Sequence, residues 1–83
     1  MEERIALVGI IVENPDSVEQ LNAILHEYSS SIIGRMGIPY REKNLSIISI
    51  AMCASNSTIS AMSGKLGMLP GVSTKTIYAK TEN

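Results

Sequence analysis

The chain has 83 residues, 45% of them hydrophobic, with no Trp, no Phe and three Tyr, so it has room for a single domain over residues 1–83 whose core must come from Ile, Leu, Val, Met and Ala. Seven Lys plus Arg against eight Asp plus Glu give a formal charge of -1, which excludes the strong phosphate attraction of a general nucleic-acid binder and argues against direct nucleic-acid binding by this chain alone. Cys53 is the single cysteine, so no internal disulfide is expected and a reducing cytoplasm is the expected compartment; the acidic start does not fit a signal peptide, and no apolar run reaches membrane-spanning length.

Ile5 to Val12 is a nearly unbroken aliphatic run and reads as a strand. It stops at Glu13-Asn14-Pro15-Asp16, where Asn14 can cap a helix with Pro15 in its first turn and Asp16 and Glu19 near its positive end. Ser17 with Gln20 offers a second cap. Val18, Leu21, Ile24, Leu25 and Tyr28 then mark one apolar stripe of a helix ending near Ser29. Ser31 to Ile38 is a second, weaker strand, interrupted by Gly34 and Gly37 and carrying Arg35, as an edge strand would.

A polar connection, Pro39 to Asn44, leads to a third strand over Leu45 to Cys53. Ser55, Asn56 and Ser57 are cap candidates for a second helix with Ile59, Met62, Leu66 and Leu69 inward, weakened at Gly64 and closed at Gly67. Pro70-Gly71 forbids continuation, and Val72 to Lys80 is a fourth strand before a polar tail of Thr81, Glu82 and Asn83. The order predicts an α+β, ferredoxin-like βαββαβ fold, with a four-stranded antiparallel sheet in the order 4-1-3-2 and both helices on one face.

Strand parity has a consequence for assembly. The odd residues Ile5, Leu7 and Ile11 and the even residues Ala6, Val8, Ile10 and Val12 are both apolar sets, and Leu45, Ile47 and Ala51 alternate with Ile48, Ile50 and Met52 in the same way. Two helices cover one face, so four to seven aliphatic side chains should stand in a patch on the other, and covering them is worth on the order of 10 kcal/mol. A homo-oligomer, dimer or tetramer, is therefore predicted through the open sheet face, with edge pairing through the second or fourth strand as the rival.

The candidate ligand-binding residues are Asn14 and Asp16 at the helix start and Arg35, Tyr40, Arg41 and Lys43 around the hairpin, where guanidinium and ammonium groups near glycine suit an anion or an acidic partner. The plain alternatives are helix capping for the first pair and a solubilising loop for the rest. His26 reads as a solvated helical residue and Cys53 as an apolar filler; Met36, Met52 and Met62 read as inward packing. No catalytic set, metal site or cofactor motif is predicted, since strands one and three lack base-stacking aromatics, one Cys cannot make a Cys-x-x-Cys loop, and no Ser-His-Asp set or phosphate-binding Gly loop is present.

Three segments carry a family likeness: Ile33-Gly34-Arg35-Met36-Gly37-Ile38-Pro39-Tyr40-Arg41-Glu42-Lys43, then Leu45 to Ile50, then Ser63-Gly64-Lys65-Leu66-Gly67-Met68-Leu69-Pro70-Gly71-Val72. Over nearly its whole length the chain resembles the small proteins named as regulators of the iron-only hydrogenase system. That resemblance implies an ACT-like domain, similar to the ligand-responsive domain of nickel-dependent repressors, and a role in regulating or supporting hydrogenase production. With no catalytic motif among the residues, the chain is expected to be a ligand- or partner-binding module and not an enzyme; the alternative is an accessory interaction protein without a small-molecule ligand. Two departures matter: Asp16 follows Pro15 where ACT domains commonly have Gly, and only His26 and Cys53 are present where nickel repressors use several His and a Cys.

Overall fold

The computed structural model describes residues 2–80. Six main elements follow one another as β1 (Glu3–Val12), α1 (Val18–Glu27), β2 (Ile32–Tyr40), β3 (Leu45–Ser55), α2 (Asn56–Gly67) and β4 (Val72–Tyr78). The four strands form one antiparallel sheet in the order β2-β3-β1-β4, which is the predicted ferredoxin-like arrangement read from the other edge. The long aliphatic strands take the centre, and the strands interrupted by glycine or lysine take the edges, where charge discourages unwanted pairing.

Parity decides the layers. On β1 the even residues Ala6, Val8, Ile10 and Val12 are buried, and on β3 so are Ile48, Ile50, Met52 and Ala54. These residues form the core with Leu21 and Leu25 of α1, Ile59, Met62 and Leu66 of α2, and Val72. Cross-strand pairs such as Val8 with Ile50 and Ile10 with Ile48 share that face. The same registers put Leu7 opposite Ala51 and Ile11 opposite Ile47 on the other face, which has no helix over it.

Several local expectations change. Asn14 does cap through Oδ1, which accepts from the Asp16 N–H at 3.0 Å, but it caps a 3₁₀ turn over Pro15–Ser17, and α1 begins only at Val18. Ser17 makes no side-chain cap; its buried hydroxyl donates to the Pro70 carbonyl at 2.7 Å. The first helix ends at Glu27, and Ser29–Ser31 form another 3₁₀ turn. The second strand runs on through Pro39 and Tyr40, because an edge strand tolerates a proline lacking the N–H, and a 3₁₀ turn over Arg41–Lys43 with left-handed Asn44 closes the hairpin. Ser55 caps α2, accepting from the Thr58 N–H at 3.2 Å. Gly67 ends that helix without a left-handed conformation, and β4 stops at Tyr78 rather than Lys80. Met36 is the one methionine whose predicted inward packing fails: its partner across the ladder is Ser49, an open-face residue, and it is 67% exposed. The polar tail expected at Thr81, Glu82 and Asn83 lies outside the described residues.

The loops before α1 and before β4 are clasped together. The Glu13 N–H donates to the Gly71 carbonyl at 2.7 Å, beside the Ser17–Pro70 bond. Gly71 has φ +71°, and a Cβ there would stand 2.7 Å from the Asn14 Cβ and 2.9 Å from the Asn14 nitrogen, so both backbone conformation and space require glycine. Gly71→Ala is expected to cost about 1–3 kcal/mol and lower Tm by on the order of 10 °C, which thermal unfolding followed by circular dichroism would read; an unchanged Tm would mean the clasp is dispensable.

Candidate functional site

The open side of the sheet is the largest unusual feature among the described residues. Ile5, Leu7 and Ile11 of β1, Ile47 of β3, Met36 and Ile38 of β2 and Ile77 of β4 lie there, each between 42% and 67% exposed. Single exposed apolar residues are ordinary; seven on one face are not. Together they present on the order of 700 Å² of apolar surface, close to the roughly 800 Å² that each partner contributes to a standard protein interface.

The register gives this surface relief. One row across the sheet holds Ile38, Ile47 and Ile11; another holds Ala51, Leu7 and Ile77. Between them runs the row of Met36, Ser49, Gly9 and Lys75, where Gly9 and Ser49 leave a shallow hollow of about 280 Å³ beside the Ile11–Ile47 ridge. A Cβ at Gly9 would meet nothing nearer than the Lys75 carbonyl oxygen at 3.8 Å, so the fold does not require glycine there.

The residues singled out in the sequence divide between different places. Asn14 is occupied as a cap and packs beside Gly71, while Asp16 is exposed. Tyr40 and Arg41 line a hollow of about 140 Å³ at the end of the sheet, together with Val12 at the end of β1, Pro15 of the β1–α1 connection and Val18 at the start of α1. The Tyr40 hydroxyl donates to Glu42 Oε1 at 2.9 Å, which holds the ring at the hairpin, and Lys43 stands exposed at the tip. Arg35 is separate from them, on the helix side of β2, where Nη2 donates to Asn22 Oδ1 at 3.1 Å. The hairpin and the helix start thus approach each other through Tyr40 and Arg41, and Arg35 belongs to another surface. The five steps from Arg35 to Tyr40 put the two on opposite faces of a regular strand, but the glycines hide that β2 is regular here. The basic residues also fail to form one patch: Arg35 is on one edge strand toward the helices, and Lys75 is on the opposite edge strand toward the open face.

Cys53 lies at the end of the open face, half-buried, with Sγ donating to Glu3 Oε1 at 3.6 Å. Desolvation pushes its pKa up, and the hydrogen bond to Glu3 and that residue's negative charge raise it further, so the neutral thiol is favoured. His26 is exposed on α1. Among the described residues there is no group of three or more His, Cys, Asp or Glu that could hold a metal ion, and no helix is long and apolar enough to cross a membrane. Lys65 of α2 pairs with Glu27 of α1 at 2.8 Å and lies 5.2 Å from the Tyr28 ring centroid, a contact joining the helices away from these surfaces.

Residues 4–76 match the TM1266-like family, described as "Iron-only hydrogenase system regulator, putative". Among solved structures, the uncharacterized protein TM1266 from Thermotoga maritima is similar at 40% sequence identity with a TM-score of 0.91, covering 95% of this chain and 100% of that one. The C-terminal domain of the MgtC protein from Mycobacterium tuberculosis is similar at 16% identity with a TM-score of 0.69, covering 92% of this chain and 87% of that one, a likeness of fold alone. No curated protein matches the chain.

The surroundings of Cys53 make its reactivity a measurable outcome. Alkylation by iodoacetamide at pH 8 should be slower than for a free thiol, because less thiolate is present. Glu3→Gln should speed it by removing the negative charge, while desolvation keeps it below the free-thiol rate. Equal rates for the native chain and a free thiol would show that this environment does not control the sulfur.

Proposed function

The chain belongs to the TM1266-like family of iron-only hydrogenase system regulators, and we propose that it is a regulatory binding module, not an enzyme, whose working form is a homo-oligomer joined through the open sheet face. The observation that carries this reading is the set of seven large apolar side chains left bare on that face. Water is an expensive neighbour for so much aliphatic surface, and a second copy offers one of the right size and chemistry. The relief supports self-association: the Leu7–Ile77 ridge of one copy can seat in the Gly9–Ser49 hollow of another, as a twofold interface requires of one surface meeting itself. Lys75 sits at the rim of the hollow on an exposed edge strand, where a lysine stem can cover apolar surface while its ammonium stays in water.

The module's contact with an effector or target runs through the sheet end, where Tyr40 and Arg41 face the β1–α1 connection and Lys43 projects from the hairpin. An acidic partner or small anion is the chemistry these donors suit. Asn14 and Asp16 serve this surface by shaping the turn beneath it. A reducing cytoplasm suits the lone thiol at Cys53.

Sedimentation velocity tests the assembly. The native chain should sediment as a dimer or tetramer at micromolar concentration. Leu7→Glu, which places a charge in the middle of the face, should weaken association by about a hundredfold or more, equivalent to ~3 kcal/mol. Gly9→Val should weaken it by filling the hollow, whereas Met68→Lys, at the exposed turn that follows α2, should leave it unchanged. A folded single subunit at that concentration would overturn the proposal.

A further inference from the structure

Two helices do not roof four strands, and the strip left bare on the helix side runs along β2. There the strand presents Arg35, Gly37 and Pro39, the ladder partners of Ile50, Ile48 and Ser46. Helix α1 faces this strip with Val18, Asn22 and His26, spaced four residues apart and so on one side of the helix. A cleft separates the two elements. One half, about 330 Å³, is bounded by Asn22, His26, Ser29 and Ile32; the other, about 250 Å³, lies over Gly37 between Val18 and Pro39, with Leu21 and Ile48 beneath.

Arg35 borders both halves and reaches across from strand to helix, with Nη2 donating to Asn22 Oδ1 at 3.1 Å. A guanidinium carries five N–H donors, and a neutral amide oxygen occupies little of that capacity. The ion pair found among the described residues is Lys65 with Glu27, so no carboxylate of those residues neutralises Arg35. The hollow beside it is not forced by packing: a Cβ at Gly37 would meet nothing closer than Ile48 Cγ1 at 3.8 Å, an ordinary contact. A cation with spare donors, a second polar group next to it and an adjoining apolar pocket are the ingredients of a small-molecule site.

We propose that this cleft binds a small organic carboxylate, held by Arg35 in its two-pronged geometry beside Asn22, with the apolar body of the ligand over Gly37 between Val18 and Pro39. A single cation matches a monoanion, and the apolar half selects for a carbon chain over inorganic phosphate. The cleft opens on the opposite side of the sheet from the oligomer face, so the two readings stand or fall separately.

Titration of the full ¹⁵N-labelled chain with hexanoate, followed by amide chemical shifts, tests the site, with acetate and inorganic phosphate in parallel. Hexanoate should produce saturable shifts at Asn22, Arg35 and Gly37, with acetate and phosphate binding there more weakly. Arg35→Gln should weaken hexanoate by about tenfold or more. Gly37→Leu should abolish the shifts by filling the apolar half; should that variant not fold, the Arg35→Gln comparison decides alone. Absence of saturable shifts at millimolar hexanoate, undiminished binding by Arg35→Gln, or phosphate binding as well as hexanoate would each overturn the proposal.

Discussion

The constraint from which the rest of this structure follows is one of coverage: β1 and β3 are apolar at both parities, and two helices can shield only one side of the sheet they centre. The even residues of both strands meet α1 and α2 and vanish from solvent. The odd residues keep their hydrophobic character without a roof. Apolar burial is roughly proportional to area, so a bare sheet face of this extent forgoes a contribution comparable with the net stability of a small domain. A chain of 83 residues gains little from exposing such a surface unless another surface meets it.

The same shortage of cover shapes the helix side. α1 and α2 lie over the strands whose inward residues are large, and β2 offers Gly37, Pro39 and Arg35 where a third helix would need aliphatic side chains. A strand with such residues gives a helix no hydrophobic reason to lie across it, so a gap is left between α1 and the sheet edge. Arg35 crosses that gap by a hydrogen bond instead of by packing. Two different surfaces thus come from a single edge strand: Met36 and Ile38 face the bare side, while Arg35 and Gly37 face the helices.

Much of this was legible in the residues. Strand parity in Ile5 to Val12 and Leu45 to Cys53 gave the layers and the uncovered face, and Arg35 pointed correctly to an edge strand. What failed depended on phase. Met36 was placed inward because a glycine-rich edge strand shows no alternation by which to count, and the register shift between Ile32 and Gly34 changes the phase at the start of β2. The same uncertainty grouped Arg35 with Tyr40, Arg41 and Lys43 as one cluster, although an odd number of steps separates Arg35 from Tyr40. Ser17 showed a different limit: as a local cap it was a reasonable reading, but its hydroxyl is engaged by Pro70, fifty-three positions away, and nothing local announces such a partner.

That long-range bond indicates how the ends of the domain are held in step. The β1–α1 connection is tied to the α2–β4 connection by Ser17, Glu13 and the close approach of Asn14 to Gly71. β1 and β4 are also neighbours in the sheet, so the clasp closes a loop of covalent chain and ladder at one end of the molecule. The opposite edge strand, β2, has β3 as its single neighbour in the sheet, packs Ile32 against the core at its start, and meets α1 through the Arg35–Asn22 hydrogen bond. Free energy of local opening follows the density of buried apolar contact, and none of the residues from Ile33 to Asn44 is buried. β2 with its turn is therefore the part most able to shift without disturbing the core, whereas β3 is held there by Ile48, Ile50, Met52 and Ala54. β2 and its turn carry Met36 and Ile38 of the open face, Arg35 of the cleft, and Tyr40 and Arg41 at the sheet end, so a displacement of this one segment would be felt at all three surfaces.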